Sequence, residues 1–565
     1  MRTVIVGGVA TGMSAAARLR RLDEHSEIIV LEKGAFVSYA NCGLPYYVAG
    51  EIQDESALLV QTPARLEDAL NLDVRVGHDV IGLDPEAKTV RVRRAGGIEE
   101  EIAYDNLVLA PGATAIRPDL PGFDARNVWH LRTVPDAVEI RRRVETGSVK
   151  TAVVLGAGFI GLEAAEALAE QGVETTIVEQ APTVLPAAEP EVAGRVTVEL
   201  RRLGIRPITG VSAARIDAVG DFSEVVLSDG RALPADLVVL SIGVRPATGP
   251  FIDAGLETIH GAVVIDEHGR TNLDHVWAGG DAAISMNPII GGPCYVPLAG
   301  PANRAGRLIA DDIAATAGID VIARPLASPL STAVVRVGKI TAAMTGATRR
   351  VLREAGVEFH TINLHPFDHA TYFPGASMMH MIAHFAKDDG RLLGAQAVGE
   401  AGADKRIDVV ATAMRAGMTV TDLIDLDLAY SPPYGSAKDA VNMLGYYGQD
   451  VLDGITRLWY PDEIQEALAT SLMLDVRTPA EFATGHFIGA LNIPHTELRH
   501  RLDEVREAAA GRPVSVNCQS GMRSYLAERV LVQSGFEDVK NLSGGMLTMR
   551  AAIEGGLVHD VEIVH

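Results

Sequence analysis

The chain has 565 residues, too many for one domain and enough for three or four at roughly 100 to 200 residues each. Its 50 basic and 73 acidic residues leave a formal charge of -23 and a pI near 5.1, which argues against a nucleic-acid or anionic-membrane partner. The three cysteines, Cys42, Cys294 and Cys518, stand far apart, so a disulfide framework and a cysteine-rich metal site are excluded, and any sulfur chemistry must use cysteines singly.

The opening MRTVIVGG predicts a buried strand running into a turn, without the charged-then-apolar pattern of a secretory leader. No apolar run approaches the ~18 residues of a membrane span, and the expectation is a soluble cytoplasmic protein. Residues 3–6 form the strand, Gly7, Gly8 and Gly12 the turn, and SAAARLRRL (14–22) a helix. A second strand, 27–31, ends at Glu32, 20 residues after Gly12, where a carboxylate can accept hydrogen bonds from an adenosine ribose. A pyrophosphate would then sit on the helix N-terminus, although Val9 replaces the middle glycine of the dinucleotide pattern. Arg18 and Arg21 lie at i, i+3 on one face of the helix.

SYANCGLPYY (38–47) places Cys42 about ten residues after Glu32, near the start of a predicted helix whose N-terminus should favour the thiolate. With no second cysteine nearby, its oxidised form must be a mixed disulfide, a persulfide or a sulfenate. Residues 150–168 repeat the first pattern with all three glycines, Gly156, Gly158 and Gly161, and the next strand ends at Glu179. Gln180, Ala181 and Pro182 follow with no basic residue, which favours NADH over NADPH. YDNLVLAPGATAIRP (104–118) and DLVVLSIGVRP (236–246) read as connections between the two nucleotide folds, and HVWAGGDAA (275–283) as a strand leading to Gly280 and Asp281.

Here the chain resembles the two-dinucleotide-fold flavoprotein disulfide reductases, and that resemblance assigns Asp281 to the ribityl and phosphate region of FAD. The stretch S-Y-A-N-C-G-L-P-Y and GGVATG (7–12) are similar to the coenzyme A-disulfide reductase branch. Related single-cysteine peroxidases and oxidases carry His where Ala10 stands, which argues against oxygen or peroxide reduction as the main role. Residues 327–446 resemble that family's interface domain through HATYFPGA (369–376), GADKRIDV (402–409) and LAYSPPYGSAKD (428–439). The resemblance implies that Tyr372 and Tyr430 reach the active cysteine of a partner subunit, as acid and anion stabiliser. Phe373 replaces a second tyrosine, and Tyr434 is expected to pack near the Pro-rich turn. The same resemblance places Arg18, Arg21, Ser38 and Asn41 at the coenzyme A substrate.

From LMLDVRTPAEFATGHFIGALNIP (472–494) onward, through VSVNCQSGMRSYLAERVL (514–531) and LSGGM (542–546), the chain resembles a rhodanese domain. Backbone N–H groups leading into a helix would form an anion nest around Cys518, with Arg523 adding positive charge. Four residues between Cys518 and Arg523, against five in tyrosine-phosphatase loops, suit sulfur better than phosphate. Cys294 has no such context and is expected to be structural.

The resemblance implies an α/β architecture: an FAD-binding domain (1–115 and 245–326) and an NADH-binding domain (116–244), both Rossmann-like, then an α+β dimerisation domain (327–446), a linker (447–458) and a C-terminal α/β rhodanese domain (459–565). It implies a homodimeric, metal-free NADH-dependent FAD enzyme reducing coenzyme A disulfide, persulfide or polysulfide through Cys42, coupled to sulfane-sulfur transfer at Cys518. The alternatives are an NADH oxidase or an electron-transfer flavoprotein with a sulfur-carrying or sensing rhodanese module.

Overall fold

The computed structural model describes residues 1–94, 96–219 and 222–564. The chain divides into two compact units, Met1–Val178 with Ser212–Ser331, and Glu179–Val211 with Thr332–His565.

In the first unit a five-stranded parallel sheet runs in the order Val276–Ala278, Asn106–Leu109, Arg2–Val6, Glu27–Glu32, Asp73–Val76. Arg2–Val6 is buried after its first residue, as expected of a central parallel strand covered on both faces. The strand order reverses beside it, which opens a crevice at the carboxyl ends. Helix Ala10–Leu22 packs against helix Ala299–Thr316, and small residues set the spacing: a Cβ on Gly306 would lie 2.1 Å from the Thr11 carbonyl oxygen. A second parallel sheet repeats the design, with Thr151–Leu155 between Glu174–Glu179 and Leu237–Leu240, and Val128–His130 beyond. The two connections pair antiparallel, Ala113–Ala115 with Val244–Pro246. Two three-stranded antiparallel sheets, which the turn pattern did not announce, are added: His78–Asp84 with Thr89–Arg94 and Glu99–Ala103, and Ala213–Val219 with Phe222–Leu227 and Ala232–Ala235.

The second unit holds an antiparallel sheet ordered Ala333–Val337, Ile340–Gly346, Leu392–Gly399, His380–Ala386, Phe359–Leu364. Its strands His380–Ala386 and Leu392–Gly399 are buried throughout, and helices Ala403–Arg415 and Ala440–Leu452 complete that core. The latter helix, capped by the Asp439 carboxylate on Val441 N–H, runs six residues past the position 446 expected to end the domain. After it comes a parallel sheet in the order Leu458–Trp459, Val539–Leu542, Val514–Asn517, Leu472–Asp475, Leu491–Asn492. The segment Glu179–Val211, inside the stretch expected to bind NADH, groups with this unit. Its helix Pro190–Arg202 lies on helix Gly545–Glu554, where a Cβ on Gly194 would come 2.1 Å from the Ala551 carbonyl oxygen, and Arg201 pairs with Glu554 at 2.7 Å. No helix among the described residues is long and apolar enough to cross a membrane.

Candidate active sites

The two glycine turns are geometric copies. Gly7 and Gly156 take φ of +99° and +97°, and a Cβ there would strike the Ala110 and Ser241 carbonyl oxygens at 2.0 and 2.4 Å. Gly12 and Gly161 each bring their helix onto the turn, with a built Cβ 1.9 Å from the carbonyl oxygen of Gly7 and Gly156 respectively. Gly158 differs: its Cβ would meet nothing within 4 Å, so the space before it is open for a ligand. Neither helix has a side-chain cap, since Val9 and Gly158 occupy the cap positions, and the first-turn N–H groups suit a pyrophosphate. The Glu32 carboxylate accepts from Gly8 N–H at 2.8 Å and Gly34 N–H at 2.7 Å; Glu179 accepts from Ala181 N–H at 2.8 Å. Asp281 sits in the turn Gly280–Ala282, its carboxylate 3.5 Å from Arg132 and its carbonyl accepting from the Tyr295 hydroxyl at 2.8 Å. The first turn with Glu32 and Asp281 has the donors and acids that fit a dinucleotide, and the second turn offers the same free N–H groups.

Cys42 lies exposed in the short 3-10 turn Asn41–Gly43, which continues into helix Leu44–Val48. The expectation of a lowered thiol pKa is overturned here. The surrounding protein withdraws enough water to push the thiol up, Glu163 adds to this, and Arg132 opposes it. A single-turn helix supplies too little dipole to win. Glu163, which accepts from the Tyr46 hydroxyl at 3.2 Å, and Arg132 were both missed in the sequence; only the place of Glu163 two residues after Gly161 hinted at it. Asn41 has a buried Oδ1 with no hydrogen-bond partner among the described residues, and Ser38 sits at φ +48° with its N–H on the Gly8 carbonyl. Arg18 is committed to Asp311 at 2.6 Å, so it is not a free cation, whereas Arg21 is exposed. Cys294 is half-buried in a two-residue strand, Pro293–Cys294, paired with Ser285–Met286.

In the second unit the three interface motifs converge on one buried arginine. Arg406 donates to Asp439 at 2.8 Å and to the Asp368 carbonyl at 2.7 Å, and Ala370 N–H reaches the Gly435 carbonyl. The loops held this way present Tyr372 and Tyr430 with their hydroxyls 2.7 Å apart. Both are exposed, and their mutual hydrogen bond raises the Tyr372 pKa. Tyr434 is 73% exposed, so it does not pack near the Pro-rich turn as expected.

Cys518 is fully buried at the end of strand Val514–Asn517, and its sulfur accepts from Gly521 N–H and the Ser524 hydroxyl, each at 3.2 Å. The helix begins at Met522, which places Arg523 and Ser524 on its first turn. Met546 N–H donates to the Cys518 carbonyl at 2.9 Å, and the close packing needs Gly545, whose Cβ would lie 2.6 Å from that oxygen. Arg523 is held by both oxygens of Glu481 at 2.7 and 2.8 Å, which drives the Glu481 pKa down to about 2. The helix bearing Glu481 is itself anchored by Arg477, fully buried, paired with Asp475 at 2.6 Å and donating to the Glu481 and Gly485 carbonyls. Glu481 had no signal in the sequence beyond its place in TPAEF.

Comparison with known proteins finds three family matches along the chain. The pyridine nucleotide-disulphide oxidoreductase family matches residues 1–305, its dimerisation domain residues 332–441, and the rhodanese-like domain residues 460–552. The chain belongs to the pyridine nucleotide-disulphide oxidoreductases. As a member it is an oxidoreductase working with FAD and a pyridine nucleotide, and it lies on the coenzyme A-disulfide reductase branch. It is 32% identical over 447 residues to a coenzyme A disulfide reductase of Staphylococcus aureus, covering 79% of this chain and 99% of that protein. The reduced Bacillus anthracis CoADR-RHD superposes with a TM-score of 0.94 at 38% identity, over 98% of both chains. An NAD-dependent persulfide reductase from A. fulgidus superposes at 0.90 and 36% identity, over 97% of this chain and all of that one.

Proposed function

We propose that this oxidoreductase uses NADH to reduce coenzyme A persulfide or disulfide at Cys42, and that Cys518 loads sulfane sulfur for it. The observation that carries the reading is the chemical contrast between two cysteines in one chain. Cys42 is exposed beside dinucleotide turns, while Cys518 is buried with its sulfur aimed at donors.

FAD, when bound, would supply a two-electron relay between nicotinamide and thiol, held by the Gly7–Gly12 turn, Glu32 and Asp281. Gly156, Gly158, Gly161 and Glu179 would hold NADH, with the acid at Glu179 selecting against a 2′-phosphate. The Cys42 thiolate attacks the coenzyme A-side sulfur of the persulfide. This forms a Cys42–S–S–CoA disulfide and expels hydrosulfide with the electron pair of the broken S–S bond. Two electrons from NADH then return Cys42 thiolate and coenzyme A, so that NADH, a proton and the persulfide give NAD+, coenzyme A and hydrogen sulfide. Arg132 favours the thiolate and Glu163 the thiol, which suits a group that must exchange a proton in each turnover. Tyr372 and Tyr430, contributed by a second copy of the chain in a homodimer, donate to the departing sulfur; their shared hydrogen bond and exposure support this. Arg21, Ser38 and Asn41 would orient coenzyme A, with Arg18 joining only if it leaves Asp311.

At the other centre the Cys518 thiolate attacks the sulfane sulfur of a donor such as thiosulfate, sulfite leaves, and a Cys518 persulfide forms within the nest. Ser524 and Gly521 N–H stabilise the anion, with Arg523 joining the donor only if it leaves Glu481. The deciding measurement is NADH-dependent sulfide release. Cys42→Ser should abolish it with coenzyme A persulfide, and Cys518→Ser should spare that substrate but abolish release fed by thiosulfate. Full turnover in Cys42→Ser would overturn the reading.

A further inference from the structure

The sulfur nest is not built by the rhodanese-like domain alone. Asn541, fully buried at the end of strand Val539–Leu542, donates from its amide nitrogen to the Gly521 carbonyl at 3.2 Å and to the Tyr447 hydroxyl oxygen at 3.0 Å. Gly521 presents only a carbonyl on this side, so the nitrogen must face it. On its other side the N–H of Gly521 points at the Cys518 sulfur. The residue stands at φ +92°, which glycine adopts as readily as other conformations, so contacts on its two sides must fix the direction of the peptide. Ser524 hydroxyl and Tyr525 N–H also reach the Gly521 carbonyl, at 3.1 and 3.0 Å, but both belong to the helix that the loop enters. Tyr447 comes from elsewhere: it lies on helix Ala440–Leu452, beyond the parallel sheet, with its ring edge-on to Tyr525 at 6.0 Å.

We propose that Tyr447, acting through Asn541, is a positioning residue for the Cys518 nest, so that sulfur loading is tuned by docking of the rhodanese-like domain on helix Ala440–Leu452. This rests on the reading of Cys518 as the sulfur carrier. With Tyr447 in place, Asn541 is fixed and the Gly521 N–H stays aimed at the thiolate and the persulfide that follows it. Without the hydroxyl the amide can turn, and the N–H to sulfur contact weakens.

The test is thiosulfate-to-cyanide sulfur transfer by the full chain across pH, in Tyr447→Phe, which keeps the ring contact. The expected result is a fall of about threefold in kcat/KM for thiosulfate and an acidic limb moved up by roughly half a pH unit, the size of one weakened hydrogen bond. NADH-driven flavin reduction should not change. Asn541→Ala should show the same shift or a larger one. Tyr525→Phe breaks the neighbouring hydrogen bond to Asp450, 2.8 Å long, while keeping the ring that meets Tyr447 edge-on, so only a contact away from Asn541 and Gly521 is lost. It should leave the acidic limb in place, and an equal shift there would mean that general loosening is the cause and would overturn the inference. A wild-type profile in Tyr447→Phe and Asn541→Ala would also overturn it. An inactive wild type, or activity surviving Cys518→Ser, would instead bring down the sulfur-carrier reading and this inference with it.

Discussion

Glu528 offers a sharp physical test of how the rhodanese-like domain is tethered. It is 1% exposed on helix Met522–Gln533, and its carboxylate accepts from the Thr456 hydroxyl and from Arg457 N–H, the second at 2.7 Å. Burial dominates over these bonds and over the nearby Arg529 and Arg457, and pushes its pKa from 4.5 up to about 7. The folded chain therefore favours the protonated acid, by about 3 kcal/mol at most. Between pH 4.5 and 7 the unfolded segment loses its proton while the folded one keeps it, so stability falls as pH rises. The full cost is present above pH 7. Glu528→Gln keeps an acceptor for Arg457 and carries no charge. At pH 8 it should protect the 454–458 amides from hydrogen exchange about tenfold or more better than wild type, once intrinsic exchange is corrected. At pH 4 the two should agree within about threefold. A pH-independent ratio between variant and wild type would refute the account.

The glycine turns separate ligand space from packing space: Gly158→Ala should keep thermal stability yet raise the KM for NADH about tenfold, whereas Gly161→Ala, with its Cβ 1.9 Å from the Gly156 carbonyl oxygen, should lower the melting temperature by several degrees. Arg477→Leu leaves Asp475 buried and unpaired and removes the anchor of the Glu481 helix; denaturant titration should show a loss of about 3 to 5 kcal/mol. In Tyr430→Phe the hydrogen bond that raises the Tyr372 pKa is gone, so the alkaline limb of reductase kcat should move to lower pH, together with a fall of at least about tenfold in kcat.

Much of this protein is legible in its sequence, because its essential features are local. A glycine that needs positive φ, an acid at the end of the next strand, and a cysteine entering a helix are all spacings along the chain. The duplicated turns, both cysteine centres and the rhodanese-like loop are therefore visible without coordinates. The tyrosine pair came only through resemblance, because the residues that aim it, Arg406 and Asp439 within two motifs and Asp368 just before the third, are far apart in the chain. The raised Cys42 thiol could not be read at all: it depends on how much protein surrounds the sulfur and on Glu163, 121 positions away. The same holds for the Glu481 grip on Arg523, for the Arg18–Asp311 pair and for the Tyr447–Asn541 contact behind the nest.

Chain-local geometry names the groups that can react, and the sequence determined those. Burial and long-range charge set their protonation and aim; both are sums over neighbours far apart in the chain, and only the tertiary structure decided them.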